Sequence, residues 1–321
     1  GVVRYLKNPI VGVIDKKLAG KQMREFMDTT KEVPILATLK EAILKGAEVL
    51  VLGIAPSGGK IPESWNPVIE EALDNGLSIV NGLHDVLNER WSHHIKNPLK
   101  QWIWDVRIPL FTPEIATGKA SQLQNKRVLF IGTDMAVGKM TAGLELYSWL
   151  LEHNKKVGFV ATGQIGITIA GKGIPLDAFK VDHACGAVEQ VVLDQADKDI
   201  LLIEGQGSLL HPGSTATLPL MRGSCPTHLI LCLRAEIKTL RSPEHIKIPD
   251  LNDFIALNES LASVFGTFPR SRVIGIAANT SMLSDNDAKA YLSKTLKDTG
   301  LVTTDPIRYG IAPIGEEILM S

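Results

Sequence analysis

One stretch in the middle of the chain, residues 127–141, narrows the choice of fold more than any other segment, and its sequence is RVLFIGTDMAVGKMT. An apolar run from Val128 to Ile131 leads into a loop that Gly132 opens and that Gly138 and Lys139 close. After this loop, apolar residues recur at the spacing of a helix. A strand, a glycine-bounded loop, a lysine and a helix in this order are typical of a phosphate-binding loop.

The residues of this loop suit an anionic ligand. Glycines let backbone N–H groups approach an anion closely, and the start of a helix adds a partial positive charge. The ammonium of Lys139 adds a full one. The alternative is an ordinary strand–turn–helix with a surface lysine. We predict a phosphorylated ligand, held by Gly132, Thr133, Asp134, Val137, Gly138, Lys139, Met140 and Thr141.

The loop departs from the common motif in two ways. Gly132 and Gly138 enclose five residues, where about four are usual. Met140 follows the lysine where Ser or Thr normally binds Mg²⁺, and Thr141 comes one residue later. One residue along a helix turns that hydroxyl by about 100°. Whether the ligand is bound together with Mg²⁺ therefore stays open.

Length and composition indicate a globular protein of two domains. The chain has 321 residues, of which 45% are hydrophobic and 21% are charged. Its net charge is −1 and it has no basic block, so we expect no nucleic-acid partner. No apolar run approaches the roughly 20 residues that span a membrane, and no secretory signal is visible. Three cysteines are too few for a disulfide framework, which favours the cytoplasm.

Residues 1–115 alternate between strand-like and helix-like patterns and are predicted to form the first domain. The alternation predicts a parallel sheet with helices on its faces. A polar segment without periodicity, residues 112–125, is the predicted linker. The predicted strands of this domain are Ile10–Ile14, Val33–Leu36, Glu48–Ile54 and Leu77–Val80, and the segment Trp102–Ile108 either returns to the sheet or leads out of it.

Residues 116–321 repeat this alternation and predict a second open α/β sheet, whose first strand leads into the phosphate loop. Ligands of such sheets bind at the carboxyl ends of the strands. The predicted helices are Lys139–Glu152, Ala187–Ala196, Leu251–Phe265 and Asp285–Lys297. The predicted strands are Val128–Ile131, Val157–Ala161, Ile200–Glu204, Leu229–Leu233 and Val273–Ala277.

Glu204 ends one of these strands and is followed by Gly205, Gln206 and Gly207. In phosphate-loop proteins an acidic residue at such a strand end holds Mg²⁺, directly or through water. A carboxylate here can instead be a general base that takes a proton from an attacking amine. A solvated strand-end glutamate is the third interpretation. We predict Glu204 as a catalytic residue or as a Mg²⁺ ligand.

Two further loops of the second domain follow its strands. Thr162 and Gln164 come after the second strand and can hydrogen-bond a ligand, although a plain turn explains them equally well. The segment at residues 208–224 follows Glu204 directly and contains His211 and Arg222. Arg222 can clamp a substrate carboxylate. A surface-loop contact is the alternative for each residue of this segment.

In the first domain, polar or glycine-rich turns follow the strands predicted at residues 48–54 and 77–80. A glycine-rich turn that carries a lysine can bind a phosphate or a carboxylate. Arg107 either binds a substrate carboxylate or pairs with Asp105, and we favour the pair. The candidate substrate-binding residues of this domain are Ser57, Gly58, Gly59, Lys60, His84 and Arg107.

The second domain resembles dethiobiotin synthetase and its relatives. The resemblance rests on Gly132–Asp134 and Val137–Lys139 in the loop and on Glu204-Gly205 at the strand end. Asn279 stands where that family places an asparagine that contacts adenine. This resemblance implies ATP and Mg²⁺ as ligands. Met140 departs from it, because that family has Thr after the lysine.

Seven short motifs carry a second resemblance, which extends over nearly the whole chain. They are Ala55-Pro56-Ser57-Gly58-Gly59, Gly82-Leu83-His84, Trp104-Asp105-Val106-Arg107, Gly132-Thr133-Asp134, Gly138-Lys139-Met140-Thr141, Ala161-Thr162-Gly163-Gln164 and Glu204-Gly205-Gln206-Gly207-Ser208-Leu209. By these motifs the chain is similar to the D-glutamate N-acetyltransferase-like family, long described as a domain of unknown function. Met140 is part of that family's pattern. The resemblance implies an α/β protein with two open, mainly parallel sheets, a Rossmann-like N-terminal domain and a P-loop NTPase-like C-terminal domain.

The second resemblance also implies an acyltransferase that moves acetyl from acetyl-CoA to the amine of a small acidic amino acid. The glycine loop and Lys139 would hold the phosphates of coenzyme A. Glu204 or His211 would deprotonate the amine, and amides after Glu204 would stabilise the oxyanion. The candidate cations for the substrate carboxylates are Lys60, Arg107 and Arg222, and the candidate catalytic residues are Glu204, Lys139 and His211.

Two other functions stay open at this point. One is an ATP- and Mg²⁺-dependent ligase or kinase of the dethiobiotin synthetase type, and the other is a nucleotide-binding regulator without catalysis. A missing Mg²⁺ hydroxyl is tolerable for an acyl donor and a handicap for phosphoryl transfer. We therefore favour acyl transfer, and we expect the chain to form a homo-oligomer.

Overall fold

The computed structural model describes residues 1–27, 29–54, 59–214 and 216–321. Over these residues the chain is an α/β protein that divides into two compact units. Unit 1 comprises residues 1–110 and 164–178, and unit 2 comprises residues 111–163 and 179–321.

Helices and strands alternate in both units. The strands are β1 (Val13–Ile14), β2 (Ile35–Leu36), β3 (Val49–Leu52), β4 (Ser78–Asn81), β5 (Ile103–Asp105), β6 (Lys126–Gly132), β7 (Val157–Val160), β8 (Ile200–Ile203), β9 (His228–Arg234), β10 (Arg272–Asn279) and β11 (Thr303–Thr304). The α-helices are α1 (Val2–Tyr5), α2 (Leu39–Leu44), α3 (Asn66–Asp74), α4 (Leu87–Trp91), α5 (Lys139–Glu152), α6 (Gln164–Ala170), α7 (Val181–Leu193), α8 (Thr217–Ser224), α9 (Leu251–Ser263), α10 (Asp285–Thr299) and α11 (Ala312–Met320). Short 3₁₀ helices lie at Met23–Glu25, Glu63–Trp65, Ser92–His94, Lys119–Gln122, Leu176–Ala178 and Val264–Gly266.

In unit 1, β3, β4 and β5 form a parallel sheet in that order, and β1 and β2 form a separate parallel pair. The central strand β4 is buried along its whole length. Its Ile79 belongs to one hydrophobic cluster with Ile69 and Leu73 of α3 and with Leu87 and Trp91 of α4. The last residues of the three strands pair side by side, so the turns that follow them start from one edge of the sheet.

Unit 2 contains a six-stranded parallel sheet in the order β11-β10-β9-β6-β8-β7. Residues Arg127 to Gly132 of β6 are all buried. Parallel strands covered on both faces read as unbroken apolar runs, which is why the sequence predicts this strand well. From β6 the chain continues to β7 and β8 on one side and later returns to β9 on the other. Such a reversal opens a crevice at the carboxyl end of the central strand, where ligands of open α/β sheets bind.

Helix α5 carries the end of the phosphate loop, and its predicted bounds are confirmed. It starts behind Gly138, whose φ of 107° lies in the left-handed region that favours glycine. Ala142, Leu146 and Leu150 recur every four residues on its buried face. This face contacts β6 and β7 and fixes the direction from which the helix N-terminus meets the loop.

Helix α7 differs from its prediction, because it begins at Val181 and ends at Leu193 instead of spanning Ala187–Ala196. Gly186 lies inside it, where a Cβ would come 1.7 Å from the carbonyl oxygen of Glu114. A glycine in a sequence suggests a helix boundary. Here the close approach of another backbone segment requires it.

Helix α8 lies within the segment that the sequence pattern treats as a loop, and a buried arginine explains how it ends. Arg127, at the start of β6, is 0% exposed. Its guanidinium donates to the carbonyl oxygens of Ser224 and Cys225, both at 3.0 Å, where the last carbonyls of α8 lack partners within the helix. A cation at a helix C-terminus stabilises the helix. This contact joins residues about a hundred positions apart, so no local pattern signals it.

Candidate functional site

The predicted phosphate loop, residues 133–138, lies at the carboxyl end of β6 in the middle of the unit 2 sheet. Gly132 is required by close packing, because a Cβ there would come 2.8 Å from Cγ2 of Val137 and 3.0 Å from Nζ of Lys139. Ala136 has a φ of 53°, also in the left-handed region. The backbone of residues 132–138 therefore curls tightly around the lysine ammonium to form a cradle, and a side chain at residue 132 would collide with it.

Lys139 is buried, and its Nζ donates to the carbonyl oxygen of Asp134 at 2.8 Å. Within the described part of the chain this is the only hydrogen bond assigned to Nζ, so the ammonium keeps donors for an anion. Burial lowers the pKa of Lys139 to about 8, against the opposing effect of Asp134 and Glu204 nearby. An anion bound at the loop would favour the charged ammonium again.

Asp134 shapes the loop. Its Oδ1 accepts from the backbone N–H of Met135 at 2.6 Å, and its Oδ2 accepts from the backbone N–H of Arg241 at 2.9 Å. Met140 and Thr141, also predicted to bind the ligand, occupy the first turn of α5. The structure thus brings the eight predicted phosphate-binding residues together, with the Asp134 carboxylate engaged by the backbone.

Glu204 follows β8 and is 3% exposed. Its Oε2 accepts from the backbone N–H groups of Thr162 and Gly163, at 2.9 and 3.1 Å, and the Thr162 hydroxyl donates to its carbonyl oxygen at 2.8 Å. Burial raises the pKa of Glu204 to about 7, although these two N–H groups and Lys139 act in the opposite direction. In the described part of the chain Oε1 has no assigned hydrogen-bond partner. Glu204 therefore has one oxygen held in place and one available at neutral pH.

Gly205 lets the Glu204 turn approach the phosphate loop. A Cβ at this position would come 1.6 Å from the carbonyl oxygen of Phe130 and 2.9 Å from Cδ of Lys139. The side chain of Lys139 therefore runs directly past Gly205, which brings the buried ammonium beside the buried carboxylate. Burial moves the two pKa values toward each other, and shifts of this kind are typical of groups in functional sites.

His211 is held by hydrogen bonds at both ring nitrogens. Its Nδ1 accepts from the backbone N–H of Gly213 at 3.1 Å, so Nε2 carries the proton that it donates to the carbonyl oxygen of Ser242 at 2.7 Å. In this arrangement the imidazole has no free acceptor for an amine proton. Of the two candidate bases, Glu204 is the one with an available atom.

Arg222 lies away from the phosphate loop. It is near the C-terminal end of α8, and α8 leads into the amino end of β9. Its guanidinium lies 5.2 Å from the ring of Phe268 and within 3.5 Å of the carbonyl oxygen of Ala262, in the segment before β10. A helix between parallel strands runs back across the sheet, so only the N-terminal end of α8 is near the carboxyl ends of the strands. The structure does not bring Arg222 to this site.

Asn279 is the last residue of β10 and lies at the same sheet edge as the loop. Its Oδ1 accepts from the backbone N–H of Ser281 at 3.0 Å, and its carbonyl oxygen accepts from Ala235 at 3.0 Å. Its predicted contact with an adenine stays a prediction.

The segment after β9 is the part of the site that the sequence patterns miss. Arg234, at the end of β9, donates to the carbonyl oxygen of Ala136 in the phosphate loop at 3.0 Å. Residues 238–248 fold back on themselves through an antiparallel bridge between Thr239 and Lys247. This segment is tied to Asp134 through Arg241 and to His211 through Ser242. Charged residues directly after a buried strand are the signal that would have found it.

In unit 1, Ser57 and Gly58 lie outside the described residues. Gly59 has a φ of 67°, and a Cβ there would come 2.2 Å from Cδ2 of His84, whose backbone N–H donates to the Gly59 carbonyl oxygen at 2.9 Å. His84 and Lys60 are exposed. The turn therefore brings Gly59 and His84 together, and the roles of Lys60 and His84 in substrate binding stay predictions.

Arg107 pairs with Asp177 and not with Asp105, which corrects the interpretation favoured from the sequence. Its Nε also donates to the carbonyl oxygen of Gly82 at 2.8 Å. A Cβ on Gly82 would come 3.2 Å from Cγ of Gln164, so Arg107 and Gln164 both adjoin this glycine. Asp105 is unavailable because its carboxylate accepts from Asn81, Asn88 and the backbone N–H of Leu87.

Within residues 1–27, 29–54, 59–214 and 216–321, no three or more His, Cys, Asp or Glu side chains form a group that could hold a metal ion. The Mg²⁺ role of Glu204 is a different question, since a phosphate ligand itself supplies oxygens to Mg²⁺, and it stays a prediction. The same described ranges contain no helix that is both long and apolar enough to span a membrane.

Two family models match the chain. The P-loop domain of DUF1611, a domain of unknown function, matches residues 114–315, and the Rossmann-like N-terminal domain of the same family matches residues 16–109. A solved structure of a DUF1611 family protein from Anabaena variabilis superposes with a TM-score of 0.95 at 43% identity, over 100% of this chain and 94% of that one.

Two curated relatives carry the name D-glutamate N-acetyltransferase. The relative from a Pseudoalteromonas species is 37% identical over 85% of this chain and 82% of its own length. The relative from Tritonibacter scottomollicae is 36% identical over 85% of this chain and 81% of its own length. The chain therefore belongs to the DUF1611 family, with a Rossmann-like N-terminal domain and a P-loop C-terminal domain of open parallel sheets, as its motifs predict.

Proposed function

We propose that the chain is an N-acyltransferase that moves the acetyl group of acetyl-CoA to the amine of D-glutamate or a similar acidic amino acid. The observation that carries the proposal is the burial of Lys139 at the end of the glycine loop and of Glu204 at a neighbouring strand end, each with hydrogen-bonding capacity left over. The names of the two curated relatives support the choice of the acetyl group and of the amine.

The residues present fit the diphosphate of coenzyme A. The cradle at Gly132, the N-terminus of α5 and the Lys139 ammonium together offer backbone N–H groups and one cation. The loop has Met140 where a phosphoryl-transfer enzyme would place its Mg²⁺ hydroxyl. Acyl transfer breaks no phosphate bond. The loop therefore needs only to bind the diphosphate and does not need to activate it.

Glu204 fits the role of general base. Its Oε1 takes a proton from the substrate ammonium, and the freed amine nitrogen attacks the thioester carbonyl carbon. The C–N bond forms, the C–S bond breaks and the sulfur leaves as a thiolate. The nitrogen gives up a second proton as the amide forms, so that one of its two protons ends on the sulfur and the other passes to water. A base with a pKa of about 7 is matched to this task at neutral pH.

The test is release of free coenzyme A from acetyl-CoA in the presence of D-glutamate, L-glutamate or D-aspartate, followed with a thiol reagent. Acetyl-CoA alone is the control for hydrolysis. Release that depends on the amino acid supports the proposal, and mass spectrometry of the N-acetyl product identifies the amine. A different outcome is that none of the amines releases coenzyme A, whereas ATP is hydrolysed in the presence of Mg²⁺ and a carboxylate substrate. This outcome would contradict the proposal and support the ATP-dependent ligase or kinase.

A further inference from the structure

A cavity of about 210 Å³ adjoins the phosphate loop of unit 2 at the carboxyl end of β9. Thr133, the first residue of the loop, lines it. Arg234 lines it as well and donates to the loop carbonyl of Ala136. The cavity therefore lies beside the loop, with Thr133 in its wall and Arg234 linking its wall to Ala136. Because whole small-molecule sites measure roughly 300–1,000 Å³, a cavity of this size suits one part of a larger ligand.

The lining of the cavity is mixed. Aliphatic side chains and Tyr291 form its apolar walls, which suit a flat ring. Two cationic side chains, Arg234 and Lys238, and one carboxylate, Glu236, also line it. The amino group of a purine ring can donate a hydrogen bond to the carboxylate. The two cations can bind a phosphate of the same ligand other than the one in the loop.

Lys238 is the cation best placed to read such an anion. It is exposed, and no hydrogen bond or ion pair is assigned to its ammonium in the described part of the chain. Its backbone is held, because its carbonyl oxygen accepts from the N–H of Ile248 at 2.9 Å. Arg234, in contrast, already donates one guanidinium hydrogen bond to the loop. The rim of the cavity thus presents a lysine on a fixed backbone with its charge unpaired.

We propose that this cavity binds the adenosine end of coenzyme A and that Lys238 contacts its 3′-phosphate. A ligand whose diphosphate lies in the loop has two arms, and only the adenosine arm of coenzyme A carries both a purine ring and a further phosphate. The pantetheine arm carries no anion for Lys238. This inference rests on the proposed function and deepens it, since it makes Lys238 the residue that distinguishes coenzyme A from ATP and other adenosine diphosphate derivatives.

The experiment compares the binding of coenzyme A and 3′-dephospho-coenzyme A by titration calorimetry. In the unsubstituted protein, coenzyme A should bind about tenfold more tightly or better, the size of one charge-assisted hydrogen bond. Lys238→Ala should remove most of this preference and leave the Kd of dephospho-coenzyme A unchanged. Lys238 is exposed, so the variant is expected to fold, and its circular dichroism spectrum checks this.

Lys247→Ala is the matched control, because Lys247 is exposed on the same folded-back segment and does not line the cavity. It should keep the preference. Equal affinity for the two ligands in the unsubstituted protein, or a preference that survives in Lys238→Ala, overturns the inference and leaves the proposed function standing. If neither ligand binds, the proposed function fails, and the inference fails with it.

Discussion

The strand ends of the two units carry similar residue types but use them differently. In unit 1, each oxygen of the Asp105 carboxylate accepts two hydrogen bonds. Arg107 donates to the carbonyl oxygen of Gly82 and forms an ion pair with Asp177. In unit 2, Oε1 of Glu204 has no assigned partner in the described residues, and Lys139 has a single one. A charged group that is fully bonded within the protein organises the fold. One that is buried with donors or acceptors left over is suited to a ligand or to proton transfer.

The pKa values sharpen this contrast. Burial raises the pKa of Glu204 to about 7 and lowers that of Lys139 to about 8. A charged group that is buried with too few hydrogen bonds lowers the stability of the fold. Proteins retain such charged groups at sites where the groups bind a ligand or take part in a reaction. The comparison leads to five predictions, with the larger expected effects before the smaller ones.

Substitution Glu204→Gln tests whether unit 2 holds the chemistry. The amide can still accept from Thr162 and Gly163, so the fold and the affinity for coenzyme A should be kept. Loss of the base should lower kcat by a factor of about 100 or more. Glu152→Gln, an exposed change at the far end of α5, is the control in the coenzyme A release assay. A Gln variant with full turnover would remove Glu204 from the mechanism.

Substitution Gly205→Ala tests whether the close approach of the two loops is needed. The new Cβ would overlap the carbonyl oxygen of Phe130, so we expect a loss of about 3 kcal/mol in the free energy of unfolding. Gly53→Ala is the matched control, because Gly53 follows a strand end of unit 1 and a Cβ there meets no described atom within 4 Å. Urea unfolding measures both. A Gly205→Ala protein as stable as the control would contradict the packing described here.

The pH dependence of stability tests the state of Glu204. Below pH 4.5, the usual pKa of glutamate, the folded and unfolded chains both hold this proton. Between pH 4.5 and about 7 the folded chain keeps a proton that the unfolded chain has released. The contribution of Glu204 to stability is therefore lost as the pH rises through this window, by an amount on the order of 3 kcal/mol.

The measurement is the free energy of unfolding in urea at several pH values for the unsubstituted protein and for Glu204→Gln. The variant should lack this part of the decline, because its amide does not titrate. Parallel curves for the two proteins would mean that Glu204 titrates at its ordinary value.

Substitution Lys139→Ala tests the anion cradle. It removes a charge-assisted partner, so the Kd for acetyl-CoA should rise about 30-fold, or about 2 kcal/mol. In the unsubstituted protein the affinity should also weaken as the pH rises through about 8, where the ammonium loses its proton, and this pH dependence should vanish in the variant. Lys155→Ala, exposed beyond the far end of α5, serves as the control for net charge. Unchanged affinity in Lys139→Ala would place the diphosphate elsewhere.

Substitution Arg107→Ala tests the other side of the comparison. Loss of its bonds to Gly82 and Asp177 should cost about 1 kcal/mol of stability, and Asp177→Ala should cost no more. The affinity for acetyl-CoA and the KM for the amine should not change. A KM for the amino acid that rises tenfold with stability unchanged would show that Arg107 binds substrate, and the contrast between the two sheet edges would fail.

Much of the fold is readable from local patterns. The run before Gly132 predicts β6, and the spacing after it predicts α5 to the residue, because buried parallel strands and amphipathic helices leave strong periodic signals. Helix α8 escapes prediction because its end depends on Arg127, and α7 is misplaced because Gly186 serves a contact with Glu114. Such contacts between distant segments have no local signature.

For the candidate site, the sequence by itself determines which chemical groups are present, namely a glycine loop with a lysine and a glutamate at a strand end. It also determines the family, through motifs distributed along the chain. Tertiary packing decides which of these groups are free to act. It buries Glu204 beside Lys139, occupies both nitrogens of His211, carries Arg222 to the other end of the sheet and opens a cavity next to Lys238. The reason is physical, since backbone geometry follows from neighbours in the chain, whereas burial, charge pairing and pKa depend on whatever folding brings alongside.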